Sequence, residues 1–79
     1  MEGELQRVVG RNLRAIRLQR GLSQEDFAEL LDMHRTFVGG VERGERNLTL
    51  RTVERLAELV QVDPLLLLTP PARPEPSGR

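Results

Sequence analysis

The chain has no cysteine, no tryptophan and no tyrosine, and only two phenylalanines among its 79 residues. Without cysteine there are no disulfide bonds and no thiolate metal site, which is consistent with a reducing compartment. The scarcity of aromatic rings argues against single-stranded nucleic acid as a ligand, because base stacking requires aromatic platforms. No apolar run reaches membrane-spanning length and no signal peptide precedes the first predicted helix, so we expect a cytoplasmic protein without membrane contact.

The residues that most often carry catalysis are also scarce. His34 is the single histidine and has no nearby set of Ser, Asp or Cys partners. Clustered metal ligands are missing as well, and the acidic group within residues 25–32 is more simply the solvated face of a helix. We therefore expect no enzymatic activity, no cofactor, no metal and no small-molecule ligand.

The formal net charge is zero, but the charges are segregated along the chain. Residues 1–22 hold five arginines against two glutamates, a net of +3, whereas residues 23–32 carry four acidic side chains and no cation. Residues 33–55 return to +2, with five arginines against three glutamates. Every cation is arginine, whose planar group suits two-pronged contact with guanine or phosphate.

Residues 23–42 predict two short helices joined by a tight turn, the arrangement that seats one helix in the major groove of DNA. Ser23 is a good N-cap for the first helix, and Asp32 tolerates the left-handed conformation that the turn requires. Ala28 leaves room for the second helix, and Met33 would fill the elbow between them. The inward faces are predicted to be Phe27, Leu30 and Leu31 in the first helix, then Phe37, Val38 and Val41 in the second.

Three further helices complete a predicted all-α, five-helix domain over residues 1–69. The first covers residues 4–20 and ends at Gly21, the third ends at Gly44, and the fourth begins after Thr49. Asp63 and Pro64 start a short fifth helix as N-cap and first residue. Residues 70–79, rich in proline, are predicted to form a disordered tail. The expected core positions of the first and fourth helices are Leu5, Val9, Leu13, Ile16, Leu50, Val53, Leu56, Ala57 and Val60.

Two stretches of the chain resemble the lambda-repressor-like (Cro/C1, or XRE-type) helix-turn-helix family: GLSQEDFAELL and MHRTFVGGVERG. The resemblance covers about residues 9–68. More narrowly, HRTFVGGVERGERNLTL is similar to the small controller proteins of restriction–modification systems. Many short phage and toxin–antitoxin regulators share most of these letters, so they stay as alternatives.

The motif and the resemblance together imply a DNA-reading surface. Arg35 and Thr36 lie in the first turn of the recognition helix, where arginine can grip guanine O6 and N7 and threonine can meet a thymine methyl or a base edge. The resemblance adds Arg46 as a base contact, with a phosphate contact as the alternative. The expected contacts to the sugar–phosphate backbone are Gln24, Arg43, Asn47, Phe37 and Arg17.

Three positions depart from a simple recognition helix. Gly39 and Gly40 each disfavour a helix, and the family often carries a base-reading side chain at the position of Gly40. We expect that direct readout to be lost and a close approach to the DNA backbone to replace it, with mere tolerance of the two glycines as the alternative. Phe37 stands where controllers commonly have tyrosine, so any hydrogen bond from that hydroxyl is absent.

The resemblance also implies one internal ion pair and one interface. Arg17 and Glu42 match a pair that forms a partly buried salt bridge between the first and third helices. Four consecutive leucines, Leu65, Leu66, Leu67 and Leu68, exceed what a lone short helix can bury, so we expect a self-complementary dimer patch. The alternative is that all four leucines close the monomer core.

The expected function is sequence-specific binding of double-stranded DNA by a homodimer. Two recognition helices about 34 Å apart would match a palindromic operator. A controller protein would regulate its own gene and an adjacent nuclease gene, with RNA polymerase as a further possible partner. The alternative is a helix-turn-helix module that binds a toxin or polymerase with little DNA binding of its own. The operator, the target genes and the sign of regulation do not follow from the sequence.

Overall fold

Five helices follow one another in the computed structural model, which describes residues 3–70. They are α1 (Glu4–Gln19), α2 (Gln24–Leu31), α3 (Arg35–Glu42), α4 (Leu50–Val60) and α5 (Pro64–Leu68), with no strand in this part of the chain. The predicted all-α, five-helix fold is confirmed. Apart from Pro70, the predicted tail lies outside the described residues.

Side-chain caps start three of the helices as the sequence predicts. The Ser23 hydroxyl accepts a hydrogen bond from the Asp26 backbone N–H at 3.0 Å, at the first turn of α2. The Thr49 hydroxyl does the same for Thr52 at the start of α4. At α5 the Asp63 carboxylate accepts from the Leu65 N–H. Each cap satisfies a donor that a helix leaves unpaired, and so fixes where the helix begins.

Four helices end in the same reversal of the chain, in which one residue adopts a left-handed conformation. At the end of α3 that residue is Gly44, with φ of 76°. Its N–H donates to Val41 O at 3.0 Å, and the Glu45 N–H donates to Gly40 O at 2.9 Å. This pair of bonds is the Schellman motif. The corresponding residues that end α1, α2 and α4 are Gly21, Asp32 and Gln61.

The core forms where α1, α2, α4 and α5 converge, with α3 packed on α1 and α2. The largest side chains with almost no exposed surface are Phe27, Leu13, Leu56 and Leu67. Ala28 of α2 is buried in the core, and Met33, in the turn between α2 and α3, packs against it. The core thereby holds the two helices of the motif at a fixed relative position.

The prediction that Leu5, Leu30 and Leu50 lie in the core is wrong. Leu5 is 57% exposed, Leu30 is 41% exposed and Leu50 is 72% exposed. Leu5 and Leu50 stand in the first turns of α1 and α4. The predicted last residue of α1 differs by one position, since Arg20 is its C-cap.

The four leucines of α5 divide between core and surface. Leu67 is fully buried in the monomer and Leu68 is half-buried, whereas Leu65 and Leu66 are 67% and 52% exposed. Leu67 therefore cannot reach a partner subunit, which corrects its assignment to a dimer patch. The alternative in which all four leucines seal the core is wrong as well, because α5 turns two of them outward.

Two side chains of α1 secure the C-terminal ends of other helices. The Asn12 amide donates to the carbonyls of Leu67 and Thr69, both at 2.9 Å, and so holds the end of α5 against α1. The Arg20 guanidinium donates to Val60 O at 2.6 Å, at the end of α4. Both contacts satisfy carbonyls that helix ends leave unpaired.

Candidate nucleic-acid interface

Helix α3 turns one side to α1 and α2 and leaves the other at the surface. Val38, Val41 and Glu42 are buried on the inner side. Gly10 of α1 allows a close approach there, since a methyl group at this position would lie 2.2 Å from Val41 O. The tight contact between α1 and α3 fixes the orientation of the outer side.

The exposed end of α3 carries the two residues predicted to read bases. Arg35 and Thr36 are both exposed in the first turn, and within residues 3–70 neither side chain makes a hydrogen bond or an ion pair. Because residues four apart share a helix face, Gly39 and Gly40 lie one turn after Arg35 and Thr36 on the same side of α3. We call the surface along these four residues the strip. The guanidinium N–H donors of Arg35 and the hydroxyl of Thr36 are therefore available to a ligand.

Two side chains that were predicted to contact the DNA backbone lie beside Gly39. A methyl group at Gly39 would lie 3.1 Å from Arg43 Nη1 and 3.8 Å from both polar atoms of the Gln24 amide. Arg43 and Gln24 thus lie side by side at the helix surface, although one follows α3 and the other begins α2. The positive end of the α2 dipole adds to the attraction for an anion at this point.

Gly40 is covered by the side chain of Arg46. A methyl group there would lie 2.9 Å from Arg46 Nε and 3.2 Å from its Cγ. The guanidinium carbon of Arg46 stands 5.1 Å from the centre of the Phe37 ring, within the range of a cation–π contact. Arg46 thus occupies the space that the missing side chain leaves, so the expected close approach of the DNA backbone at Gly40 gains no support.

The predicted ion pair between α1 and α3 is present and nearly buried. Arg17 Nε donates to Glu42 Oε2 at 2.7 Å, and Nη2 donates to Oε1 at 3.1 Å. The Arg17 side chain is 11% exposed and that of Glu42 is 3% exposed. Arg17 Nη1 also donates to Leu22 O, so little of this guanidinium is left for phosphate. Its role is structural, and the expected phosphate contact from Arg17 gains no support.

Gln24 belongs to the same network. Its Nε2 donates to Glu42 Oε1 at 3.1 Å, which holds the amide at the start of α2. An amide nitrogen carries two hydrogens, so one remains for a phosphate oxygen. The predicted phosphate contact from Gln24 therefore stays a prediction, with the side chain already oriented.

The segment after α3 carries the remaining predicted contacts. Arg43 and Glu45 form an ion pair of 3.2 Å in which both side chains are 60% exposed, so solvent screens it strongly. Arg46 and Asn47 are exposed beyond Gly44. Sequence reasoning missed that α1 anchors this segment. Gln6 Nε2 donates to Gly44 O at 3.3 Å, and Arg7 packs against the Cα of Gly44.

The surface around α3 is the part of the described chain that brings most predicted site residues together. Arg35, Thr36, Arg43, Arg46 and Gln24 border one strip, and the acidic residues of α2 are exposed. Within residues 3–70 no three His, Asp or Glu side chains are placed to hold a metal ion. None of the described helices is long and apolar enough to cross a membrane. The strip suits a polyanion that offers both phosphates and hydrogen-bonding edges.

Fold and surface together define a helix-turn-helix DNA-binding domain, with α3 as the recognition helix. A family model described as helix-turn-helix (HTH_3) matches residues 13–67. The chain belongs to this family of DNA-binding transcriptional regulators.

Similar proteins include several restriction–modification controllers. The control protein C.SmaI of Serratia marcescens is 41% identical over 66 residues, which cover 84% of this chain and 79% of that protein. The crystal structure of the controller C.AhdI from Aeromonas hydrophila shares 42% identity and a TM-score of 0.69, covering 78% of this chain and 94% of that one. The controller C.Esp1396I, solved as a tetramer with its natural 35 base-pair operator, shares 33% identity and a TM-score of 0.69, covering 81% and 84%.

Proposed function

We propose that this protein binds a palindromic operator as a homodimer and acts as the controller of a restriction–modification system, regulating its own gene and the nuclease gene. The observation that carries the proposal is the free first turn of α3, where Arg35 and Thr36 are exposed beside Gln24 and Arg43. A helix presented in this way fits the major groove. The protein would act in the cytoplasm of a bacterium, where its operator is accessible.

The residues divide into two kinds of contact. Arg35, Thr36 and Arg46 would meet base edges, and Arg35 is best placed for guanine because all its donors are unengaged. Gln24, Arg43 and Asn47 would bind phosphate and set the register on the duplex. The Phe37 ring has no hydrogen-bond donor, so it would act on the DNA through Arg46, which lies over it.

The similarity to controller proteins supports the regulatory part of the proposal. Identities of 41% to C.SmaI and 36% to C.BamHI extend over most of both chains. The C.Esp1396I tetramer on its 35 base-pair operator is a precedent for an oligomer of a similar chain on one operator. Contact with RNA polymerase would follow if the bound protein activates transcription.

The first test is selection of binding sites from random duplexes, followed by gel shift with the selected operator at low and moderate salt. Arg35→Ala should weaken operator binding by roughly 5- to 150-fold, the range expected from one two-pronged base contact, and should relax the preference at one base pair. Arg55→Ala removes an exposed arginine from α4 and serves as the matched control, with less than about twofold effect expected.

The same experiment tests the rival function. Wild-type protein that selects no duplex sequence, or that binds equally well with Arg35→Ala, would contradict specific DNA recognition. That result would instead favour a protein-interaction module of the antitoxin or polymerase-binding kind.

A further inference from the structure

The recognition helix lacks a side chain at Gly40, and the side chain of Arg46 lies in the vacated space. Three atoms of Arg46 line the position that a Cβ would take, namely Nε, Cγ and Cδ at 2.9, 3.2 and 3.5 Å. Contact along this length means that Arg46 lies along the helix surface. Gly40 is consequently buried although it stands on the outer side of α3.

Two features keep Arg46 at this place. The Phe37 ring, one turn before Gly40, receives the guanidinium on its face, with 5.1 Å between the guanidinium carbon and the ring centre. The backbone before Arg46 is closed onto α3 by the bond from Glu45 N–H to Gly40 O. Arg46 is therefore positioned by three features together: the chain reversal after α3, the Phe37 ring and the missing side chain at Gly40.

We propose that Gly40 and Phe37 form a seat that pre-positions Arg46, so that Arg46 takes the place of the base-reading side chain that α3 lacks. Gly40 is then a specificity-determining positioning residue, although it has no side chain of its own. This inference rests on the proposed DNA-binding function, because it supposes that Arg46 meets a base edge. An arginine held in one orientation loses less conformational freedom on binding, which favours the base that matches its donors.

Adding a single methyl group at Gly40 should disturb the seat and leave the fold intact. In Gly40→Ala the methyl would meet Arg46 near the middle of its side chain, so this side chain must shift, and we expect the guanidinium to leave the ring. Alanine favours a helix over glycine, so the melting temperature should stay the same or rise. A loss of sequence preference in this variant could not then be attributed to unfolding.

The first measurement needs no DNA. In wild-type protein the ¹⁵N relaxation of Arg46 Nε should indicate an ordered side chain, and in Gly40→Ala and Phe37→Leu it should indicate a mobile one. Gly39→Ala is the matched control, because its methyl would meet the end of Arg43 at 3.1 Å and the Gln24 amide at 3.8 Å, and should leave Arg46 ordered. Equal mobility of Arg46 in wild type and Gly40→Ala would contradict the proposal that Gly40 and Phe37 position this side chain.

The second measurement is a double-mutant cycle on the selected operator. Arg46→Ala identifies the base pair that Arg46 reads, as the position where discrimination is lost. Gly40→Ala should lower discrimination at that same base pair by about tenfold, within the range of one two-pronged contact. In the Arg46→Ala background, Gly40→Ala should have no further effect, since the two changes remove one contact.

Two results of the cycle would contradict the inference. A uniform loss of affinity for all sequences would indicate that Gly40 and Arg46 serve a phosphate contact only. If Gly40→Ala lowers discrimination further in the Arg46→Ala background, Gly40 acts directly on the DNA. If wild-type protein selects no sequence at all, the proposed function fails, and the relaxation measurement alone decides whether the seat exists.

Discussion

Arginine has two different uses in this domain, and burial separates them. Arg17 is 11% exposed and is paired with Glu42 through two nitrogens, so it joins α1 to α3. Arg35 is exposed and unengaged within the described residues, so it is free to bind a ligand. A buried guanidinium without its carboxylate would be an uncompensated charge, whereas an exposed one is solvated by water.

Glu42→Gln should therefore lower the free energy of unfolding by about 3 kcal/mol, because it leaves the charge of Arg17 buried and unpaired. The measurement is urea denaturation of both proteins at the same concentration. Glu45→Gln is the matched control, since its pair with Arg43 is 60% exposed on both sides and should contribute at most about 0.5 kcal/mol. Equal effects of the two substitutions would show that burial does not govern this ion pair.

The contact between α1 and α3 depends on backbone approaching backbone, and Gly10 makes it possible. A methyl group there would lie 2.2 Å from Val41 O and 2.8 Å from Glu42 O. Neither carbonyl can move without shifting the recognition helix. Gly10 thus matters for the position of α3 although it is far from the exposed strip in sequence.

Gly10→Ala should destabilise the protein by about 3 kcal/mol, since the overpacking meets rigid backbone. Gly39→Ala provides the comparison, because its methyl comes closest to a flexible arginine end and touches no backbone, and alanine gains up to about 1 kcal/mol in a helix. Thermal and urea denaturation of the two variants measure the difference. A stable Gly10→Ala protein would mean that α1 and α3 can separate at little cost.

The ends of α2 and α4 place non-glycine residues in the left-handed conformation. Asp32 has φ of 56° and Gln61 has φ of 63°. Aspartate visits this region more readily than glutamine. Gln61→Gly should therefore stabilise the protein by about 0.5–1 kcal/mol, and Asp32→Gly by less. Denaturation midpoints compare the two, and a larger gain at Asp32 would contradict this ranking.

The arrangement of the whole domain leaves an apolar surface on α5. Leu65 and Leu66 are exposed there, while Leu67 and the hydrogen bonds from Asn12 hold the helix to the core. Exposed neighbouring leucines on a stable support favour association with a second copy. The dimer in our proposed function would form through this surface, with half-buried Leu68 at its edge.

Replacing Leu65 and Leu66 together by glutamine should shift the protein to monomer at micromolar concentration, as measured by analytical ultracentrifugation. Operator affinity should fall by about 100-fold, because the second half-site is no longer bound intramolecularly. Leu30→Gln alters a leucine of α2 that is 41% exposed and should leave the association state unchanged. A double variant that sediments like the wild type would place the interface elsewhere.

Local chemistry determined the helices of this protein and many of its surface residues. Caps such as Ser23 and Asp63, and reversals at Gly21 and Gly44, depend on a few neighbouring residues, so the helix ends were predictable to about one position. Arg35 and Thr36 were predictable as exposed because the first turn of α3 follows directly from the motif. The pair of Arg17 with Glu42 came from family resemblance.

Only the tertiary structure decided how the helices share their surfaces. Leu5, Leu30 and Leu50 continue apolar stripes but remain exposed, and Leu67 is buried while Leu66 is not. Arg46 contacts Gly40 and Phe37 from beyond the end of α3, so helical periodicity in the sequence does not predict this contact. Periodicity predicts which face of a helix turns inward, but the extent of burial depends on where the other helices end, and that is a property of the packed domain.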